Sequence, residues 1–396
     1  MHTAANYAFD LVEAARMKGH VPAFGRLNEA VLNASIRIPQ PPPYRCYWYD
    51  RAQHAAVGLH LGIDIIPSNG RYYMLENNIV PLLRAARREL YATSVDPFIS
   101  ELAATAKSQG FRRLVFYERK PWPDSYVSDF ERASRESGIE VIGASAHRSA
   151  HLSMPALPES LAPNTLYVLR GGASFTQRTP LLHFVHDKYW AAKWLTEAIE
   201  AEGDPSVPLS CVPTYDQFRF FPDSSDGRWP NIVVKLADAD KAEFVAMGRF
   251  LTEQDAKEGL GVRSDDPQSP PAIFALKGMR RLVLQHIRQS RTIYQPYIVP
   301  DIMDNRPRKI RLHVFISPFV NAYLSAHSVI GGDPVPNVLP PGPMRNPGPF
   351  VCNFLPGNGT EYALPVPEEE TALRAVAGEF GRLAKTAIVW RFETES

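Results

Sequence analysis

Asp64, Glu76 and Asn78 are the residues of this 396-residue chain whose types and spacing most directly point to chemistry. They lie in GIDIIPSNGRYYMLENN, where Glu76 follows Asp64 by twelve positions and Asn78 follows Glu76 by two. IDII and YYMLE read as two short antiparallel strands joined by the polar turn Pro67-Ser68-Asn69-Gly70. Such a hairpin sets Asp64 and Glu76 on neighbouring strands. Strand side chains alternate with period two, so Glu76 and Asn78 share a face. Three hard oxygen donors on one face can hold Mg²⁺, which favours a few carboxylates, waters and nucleotide phosphates. Alone, the same residues also fit a solvent-facing polar hairpin. The apolar character of YYMLE weighs against that, because it sets Glu76 beside buried residues, where an unpaired carboxylate is costly.

Around this hairpin the chain alternates between helix and strand. Residues 5–18 read as an amphipathic helix, followed by the Pro-rich IPQPPPYR. From about residue 92 a βαβ rhythm begins: helix 96–109, strand RLVFYE, helix 125–137, strand IEVIGAS and strand TLYVLRGG. That rhythm predicts a small parallel sheet with helices on its faces. DKYWAAKWLTEAIEAEG has helical spacing at Trp190, Trp194, Leu195 and Ala198. NIVVKLADA, EFVAMGRF and IYQPYIV read as strands, with a helical stretch near 270–285 and a surface loop at DDPQSPP. IRLHVFISP and VNAYLSAHSVIGG form an expected hairpin, and a helix is expected over 367–385. The fold class read from this order is mixed, α+β with an α/β part.

Composition narrows the partners. Lys and Arg number 43 against 42 Asp and Glu, so no net field attracts nucleic acid or an anionic membrane. The three cysteines, Cys46, Cys211 and Cys352, are far apart and form no C-x-x-C, which predicts neither a zinc site nor a disulfide framework. No apolar run approaches the ~20 residues of a membrane span. The first twenty residues carry early acids and no apolar signal core. A reduced cytoplasm is the expected compartment.

The hairpin resembles the metal-binding segment of the ATP-grasp superfamily, as in D-alanine–D-alanine ligases. There an Asp strand, a polar turn and an aromatic-rich strand ending in E-x-N hold two Mg²⁺ ions between the terminal phosphates of ATP. The match rests on Asp64, Gly70, Tyr72, Tyr73, Leu75, Glu76 and Asn78. Gly62 stands where many members carry a phosphate-binding Arg, so that cation must come from elsewhere. HDKYWAAKWL followed by PNIVVKLAD resembles the family run that brings two lysines to the phosphates, here Lys188 and Lys235. IYQPYIV resembles the adenine hinge and implies Gln295, Tyr297 and Ile298 as nucleotide contacts. RKIRLHVFI resembles the strand that brings an Arg to the transferred phosphoryl group, here Arg311, with Arg308 and Lys309 expected as surface charges. Asn353 resembles an Asn near the metals. The phosphate-covering loop is glycine-rich in the family, whereas LADADKAEF has no glycine and offers Lys241 as a substitute.

The acidic hairpin precedes the other elements here, while in most members it follows the Arg strand. The order is similar to a circularly permuted, glutathionylspermidine-synthase-like group, and permutation is tolerated where former termini lie close at the surface. The resemblance implies four parts: a permuted metal-binding part (1–91), a small Rossmann-like pre-ATP-grasp subdomain (92–185), a lid (186–290) and the rest of the core (291–396). It implies an ATP- and Mg²⁺-dependent ligase joining a small-molecule or peptide carboxylate to an amine, with homo-oligomerisation possible. A phosphotransferase and a non-catalytic nucleotide-binding protein are the rival readings. Arg170 is a candidate for a substrate carboxylate, or an ordinary surface ion pair.

Overall fold

The computed structural model describes residues 49–50, 52–78, 98–118, 124–145, 161–169, 184, 187–218, 231–237, 245–250, 252–259, 291–319, 321–331, 339, 341–343 and 361–394. The strands are β1 (Tyr49–Asp50), β2 (Ala55–Ser68), β3 (Arg71–Asn78), β4 (Arg113–Glu118), β5 (Glu140–Ser145), β6 (Thr165–Leu169), β7 (Leu209–Cys211) and β8 (Asn231–Leu236). They continue with β9 (Val245–Arg249), β10 (Thr292–Pro296), β11 (Ile302–Met303), β12 (Arg306–Ile316), β13 (Asn321–Ile330), β14 (Gly342–Pro343) and β15 (Glu361–Ala363). The helices are α1 (Phe98–Ser108), α2 (Asp124–Ser137), α3 (Lys188–Glu202), α4 (Glu253–Gly259) and α5 (Pro367–Thr394).

These elements make a mixed sheet of eleven strands, with the central order β15-β13-β12-β2-β6-β4-β5, and a separate antiparallel sheet ordered β10-β8-β9-β14. The pivot is β2. One edge of β2 pairs in parallel with β6 over Ala56–Leu59, then antiparallel with β3 over Gly62–Ser68. The other edge pairs antiparallel with β12 over Leu59–Ile65. A single strand thus joins the parallel β6-β4-β5 part to the antiparallel β12-β13 part.

Alternation along β2 decides what each face does. Leu59, Leu61, Ile63 and Ile65 point into one core with Leu312 and Val314 of β12, Leu195 of α3 and Phe380 and Ile388 of α5. Each such side chain contributes roughly 1.5–3 kcal/mol by leaving water. The alternate residues Ala56, Gly58, His60, Gly62 and Asp64 form the other face. At its start Ala56 packs with Phe315, Leu102 of α1 and Phe130 of α2. A Cβ on Gly58 would collide with the Phe315 ring, so only glycine admits that packing. Towards the end of β2 this second face turns polar.

The hairpin closes at Asn69 and Gly70, with φ of 51° and 75°. Two positive φ values in a two-residue loop match the twist of the flanking strands. The loop is therefore the second half of the expected four-residue turn, and Pro67 and Ser68 belong to β2. Its approach is pinned by Asp301, whose Oδ1 accepts from the Asn69 N–H at 3.0 Å and whose own N–H donates to the Pro67 carbonyl at 2.7 Å.

The helix α5 runs nine residues past its expected end at 385, and α4 was not expected. A Glu379 oxygen of α5 accepts from the Asp204 N–H at 2.8 Å, and Arg382 donates to the Glu202 carbonyl at 2.7 Å, which ties the end of α3 to α5. The expected helices at 5–18 and 270–285 and the DDPQSPP loop lie outside the described residues. No described helix is long and apolar enough to cross a membrane.

Candidate functional site

The polar end of β2 gathers charge from four elements. Asp64 stands opposite Glu76 on β3 and opposite Arg311 on β12. A bulge makes the first pairing. The register slips between Asp64 and Ile65, which pair with Glu76 and Met74 and leave Leu75 as the extra residue. Without that extra residue Leu75 would face Asp64, so the bulge brings the two carboxylates to neighbouring positions on one face. Asn78 pairs with Gly62 in the same ladder; its side chain lies outside the described part.

Asp64 is buried, and both its oxygens are engaged. Arg311 donates through Nε to Oδ1 at 2.7 Å and through Nη2 to Oδ2 at 2.9 Å, a bidentate fork. The Lys309 ammonium donates to Oδ2 at 3.1 Å. Burial alone would raise the Asp64 pKa, but the Arg311 and Lys309 charges and hydrogen bonds outweigh it and hold the carboxyl well below the usual carboxylate range. Lys309 is itself only 8% exposed. This corrects the expectation that Arg308 and Lys309 are surface charges. Lys309 shares a face with Arg311 by period two, and Arg308 alternates to the other side, where it bonds Ser328 at 2.9 Å and pairs with Glu369.

Glu76 is held more loosely. Its carboxylate lies 3.7 Å from the Lys188 ammonium, and its side chain is 26% exposed. Lys188 is the first residue of α3 because Asp187 caps that helix: Oδ1 of Asp187 accepts from the N–H groups of Tyr189 at 2.9 Å and Trp190 at 3.1 Å. The Lys188 N–H donates to the Ala237 carbonyl just past β8, which docks the start of α3 on the small sheet.

Lys235 reaches this cluster from β8. Burial pushes its ammonium down to about 8; Glu76 and Asp64 raise it, while Lys188 and Lys309 lower it further. Among the described residues the Lys235 side chain makes no hydrogen bond or ion pair. Among the described residues, four cations thus face two carboxylates.

By register, Lys235 and Val233 of β8 share a face with Ile293 and Gln295 of β10. Gln295 is buried and donates through Nε2 to the Thr214 hydroxyl at 2.9 Å. The Tyr297 N–H is committed to the Asn231 carbonyl at 2.9 Å, and Ile298 is half-buried in the segment that follows. Pro296 ends β10, an edge strand, where its missing N–H costs no ladder bond. Lys241, Asn353 and Arg170 lie outside the described residues.

A row of histidines continues the same face of the large sheet. His60, His313 and His327 are all buried, and adjacent ring centroids lie 5.4 Å apart. Burial, and after it the Arg311 charge, pushes His327 down to about 4. Sequence reasoning did not single these residues out. Their parity with Asp64 and Arg311 was the available signal, since His60, Gly62 and Asp64 alternate on β2 as His313 and Arg311 do on β12.

The donor chemistry suits a hard divalent ion in part. Glu76 offers a partly exposed carboxylate, and Asp64 accepts three hydrogen bonds of the roughly four a carboxylate can take. Among the described residues no group of three His, Cys, Asp or Glu is set to hold a metal. Mg²⁺ commonly uses one or two carboxylates and completes its shell with water and phosphate oxygens. Comparison with protein-family models and with curated proteins gave no match.

Proposed function

We propose that this charged cluster binds Mg²⁺ and ATP and that the protein is an ATP-dependent carboxylate–amine ligase of a circularly permuted ATP-grasp kind. The observation that carries the reading is the convergence of Lys188, Lys235, Lys309 and Arg311 on the Asp64–Glu76 pair from three separate elements. Partly desolvated cations gathered in one place suit the terminal phosphates of a nucleotide. Glu76, with Asp64 and Asn78, would hold Mg²⁺, which supplies charge neutralisation at the phosphates when bound.

In this reading the small-sheet face carrying Val233, Ile293 and Gln295 takes the adenine, and Lys235 on that face takes phosphate oxygens. Arg311, locked by Asp64, presents a fixed guanidinium where charge develops on the transferred phosphoryl group. A substrate carboxylate attacks the γ-phosphorus to give an acyl phosphate and ADP. An amine then attacks the acyl carbon and releases phosphate. Positioning and charge compensation are the main requirements, and no proton relay is needed for the first step.

The test is ADP and phosphate release from ATP against pools of carboxylates and amines. Release that needs both pools, and that Glu76→Ala abolishes, supports the ligase. A stable phosphate ester as product makes the protein a phosphotransferase instead. Full turnover in Glu76→Ala removes the metal assignment.

A further inference from the structure

We infer that Arg291 binds an oxyanion beside Lys235, so that the ligand's phosphate chain runs along one face of the small sheet towards the start of α3. That the anion belongs to a nucleotide rests on the reading above. The placement of Arg291 rests on geometry.

Arg291 directly precedes β10. The Ala237 N–H donates to the Arg291 carbonyl at 3.0 Å, which carries the β8–β10 ladder one pair beyond Thr292 and Leu236. By that register Arg291 shares a face with Ile293 and Gln295, and across the ladder with Lys235 and Val233. Lys235 stands opposite Ile293, which makes Arg291 its diagonal neighbour at about 7–8 Å. The Ala237 carbonyl accepts from the Lys188 N–H at 3.1 Å, so Arg291 lies next to the start of α3. Its guanidinium sits 5.0 Å from the Tyr189 ring centre and 5.4 Å from that of Trp190. The Tyr189 hydroxyl is itself hydrogen-bonded to Asp216.

Those rings steady the guanidinium but supply no oxygen to its five N–H donors. Among the described residues the Arg291 side chain has no hydrogen bond and no ion pair, and its Nη1 is buried. The residue as a whole is half-buried, which leaves part of the fork within reach of a ligand. A donor held out of water is ordinarily met by a carboxylate or carbonyl, because leaving it unsatisfied is costly. The small sheet offers no carboxylate, since β8, β9, β10 and β14 contain neither Asp nor Glu. The Lys235 side chain is in the same condition on the same face. One is a movable ammonium and the other a planar fork steadied by rings, and together they match an anion with several oxygens along a chain. A polyphosphate is such an anion. The order along this face of β10 is Gln295, Ile293 and Arg291, so a base seated by Gln295 directs its phosphates past Lys235 to Arg291.

The experiment measures binding of AMP-PNP with Mg²⁺, and of inorganic tripolyphosphate, to the full chain by calorimetry. Wild type is compared with Arg291→Met and Arg291→Lys, with circular dichroism as the folding control. Arg291→Met keeps an apolar stem on Tyr189 and Trp190, and it should weaken both ligands by at least about tenfold, the loss expected for one charge-assisted contact. Arg291→Lys keeps the charge without the fork and should fall between the two. A residue that only packs on the rings gives another result: wild-type affinity in Arg291→Met overturns the inference and leaves the nucleotide reading standing. A wild type that binds tripolyphosphate but not AMP-PNP, with that binding weakened in Arg291→Met, keeps the Arg291 assignment and removes the nucleotide reading. A wild type that binds neither overturns both. If Arg291→Met does not fold, the structure of the wild-type complex decides. Contact between the Arg291 guanidinium and a phosphate oxygen supports the assignment, and a guanidinium on the rings alone overturns it.

Discussion

The large and small sheets bring charge to the same cluster in opposite ways. On the large sheet Asp64, Arg311 and Lys309 form a closed group, each partner within hydrogen-bond distance and nearly dry. On the small sheet the Lys235 ammonium has charged neighbours but, among the described residues, no direct partner, and burial lowers its pKa to about 8. The first arrangement fixes geometry. The second is a cation whose charged form burial disfavours. Glu76 stands between them, part exposed and joined to Lys188 at 3.7 Å. Fixed groups set the shape of such a site, and incompletely satisfied ones show where its ligand goes.

The largest effect expected from breaking this contrast is on stability. Asp64→Leu strands two buried cations and should cost about 3–5 kcal/mol in urea unfolding. Replacing the group together, as Asp64→Leu/Lys309→Met/Arg311→Met, should recover much of that loss while leaving nucleotide binding abolished. Glu76→Gln should behave the other way. Its part-exposed pair contributes about 1 kcal/mol to stability, yet ATP turnover should fall by roughly 100-fold or more if it helps hold charge at the phosphates.

A subtler effect follows from Lys235. Its folded-state pKa lies below its ordinary value, so its burial opposes folding while pH is below about 8, and that penalty fades as pH rises towards 10.5. Nucleotide affinity should change in the opposite sense. As pH rises through about 8 the free protein loses the proton that attracts phosphate, and affinity should fall by up to about tenfold per pH unit. Lys235→Met should remove this pH dependence, read by calorimetry between pH 7 and 9.5. The smallest expected effect lies at the start of α3. Asp187→Ala should cost about 1 kcal/mol through the lost cap, with a modest rise in nucleotide KM because Lys188 loses its fixed start.

Much of the strand and helix order was legible because short apolar runs mark strands, alternating where one face is buried, as in NIVVKL, and continuous where both are, as in RLVFYE and the end of the Arg306–Ile316 strand. The placement of Asp64 and Glu76 on neighbouring strands was legible from the Pro67–Gly70 turn. Their direct pairing was not, since nothing in YYMLENN marks Leu75 as a bulge. The full length of β2 was hidden because AAVGLHLG mixes small residues with apolar ones; the small residues serve close packing such as that of Gly58 on Phe315. Lys309 was misjudged because RPRK reads as a solvated run. Its parity with Arg311 outweighs that local composition once β2 covers one side of β12. The histidine row needed three strands in register, which no single segment reveals.

The central claim is that Lys235 and the Asp64–Glu76–Arg311 face meet a nucleotide's phosphates between the two sheets. Calorimetry of AMP-PNP with Mg²⁺ on wild type and Lys235→Met tests it most directly. The account predicts one site per chain in wild type, with affinity lost in Lys235→Met while the fold is kept. Wild type without binding, or a Lys235→Met variant that binds as wild type does, would contradict it.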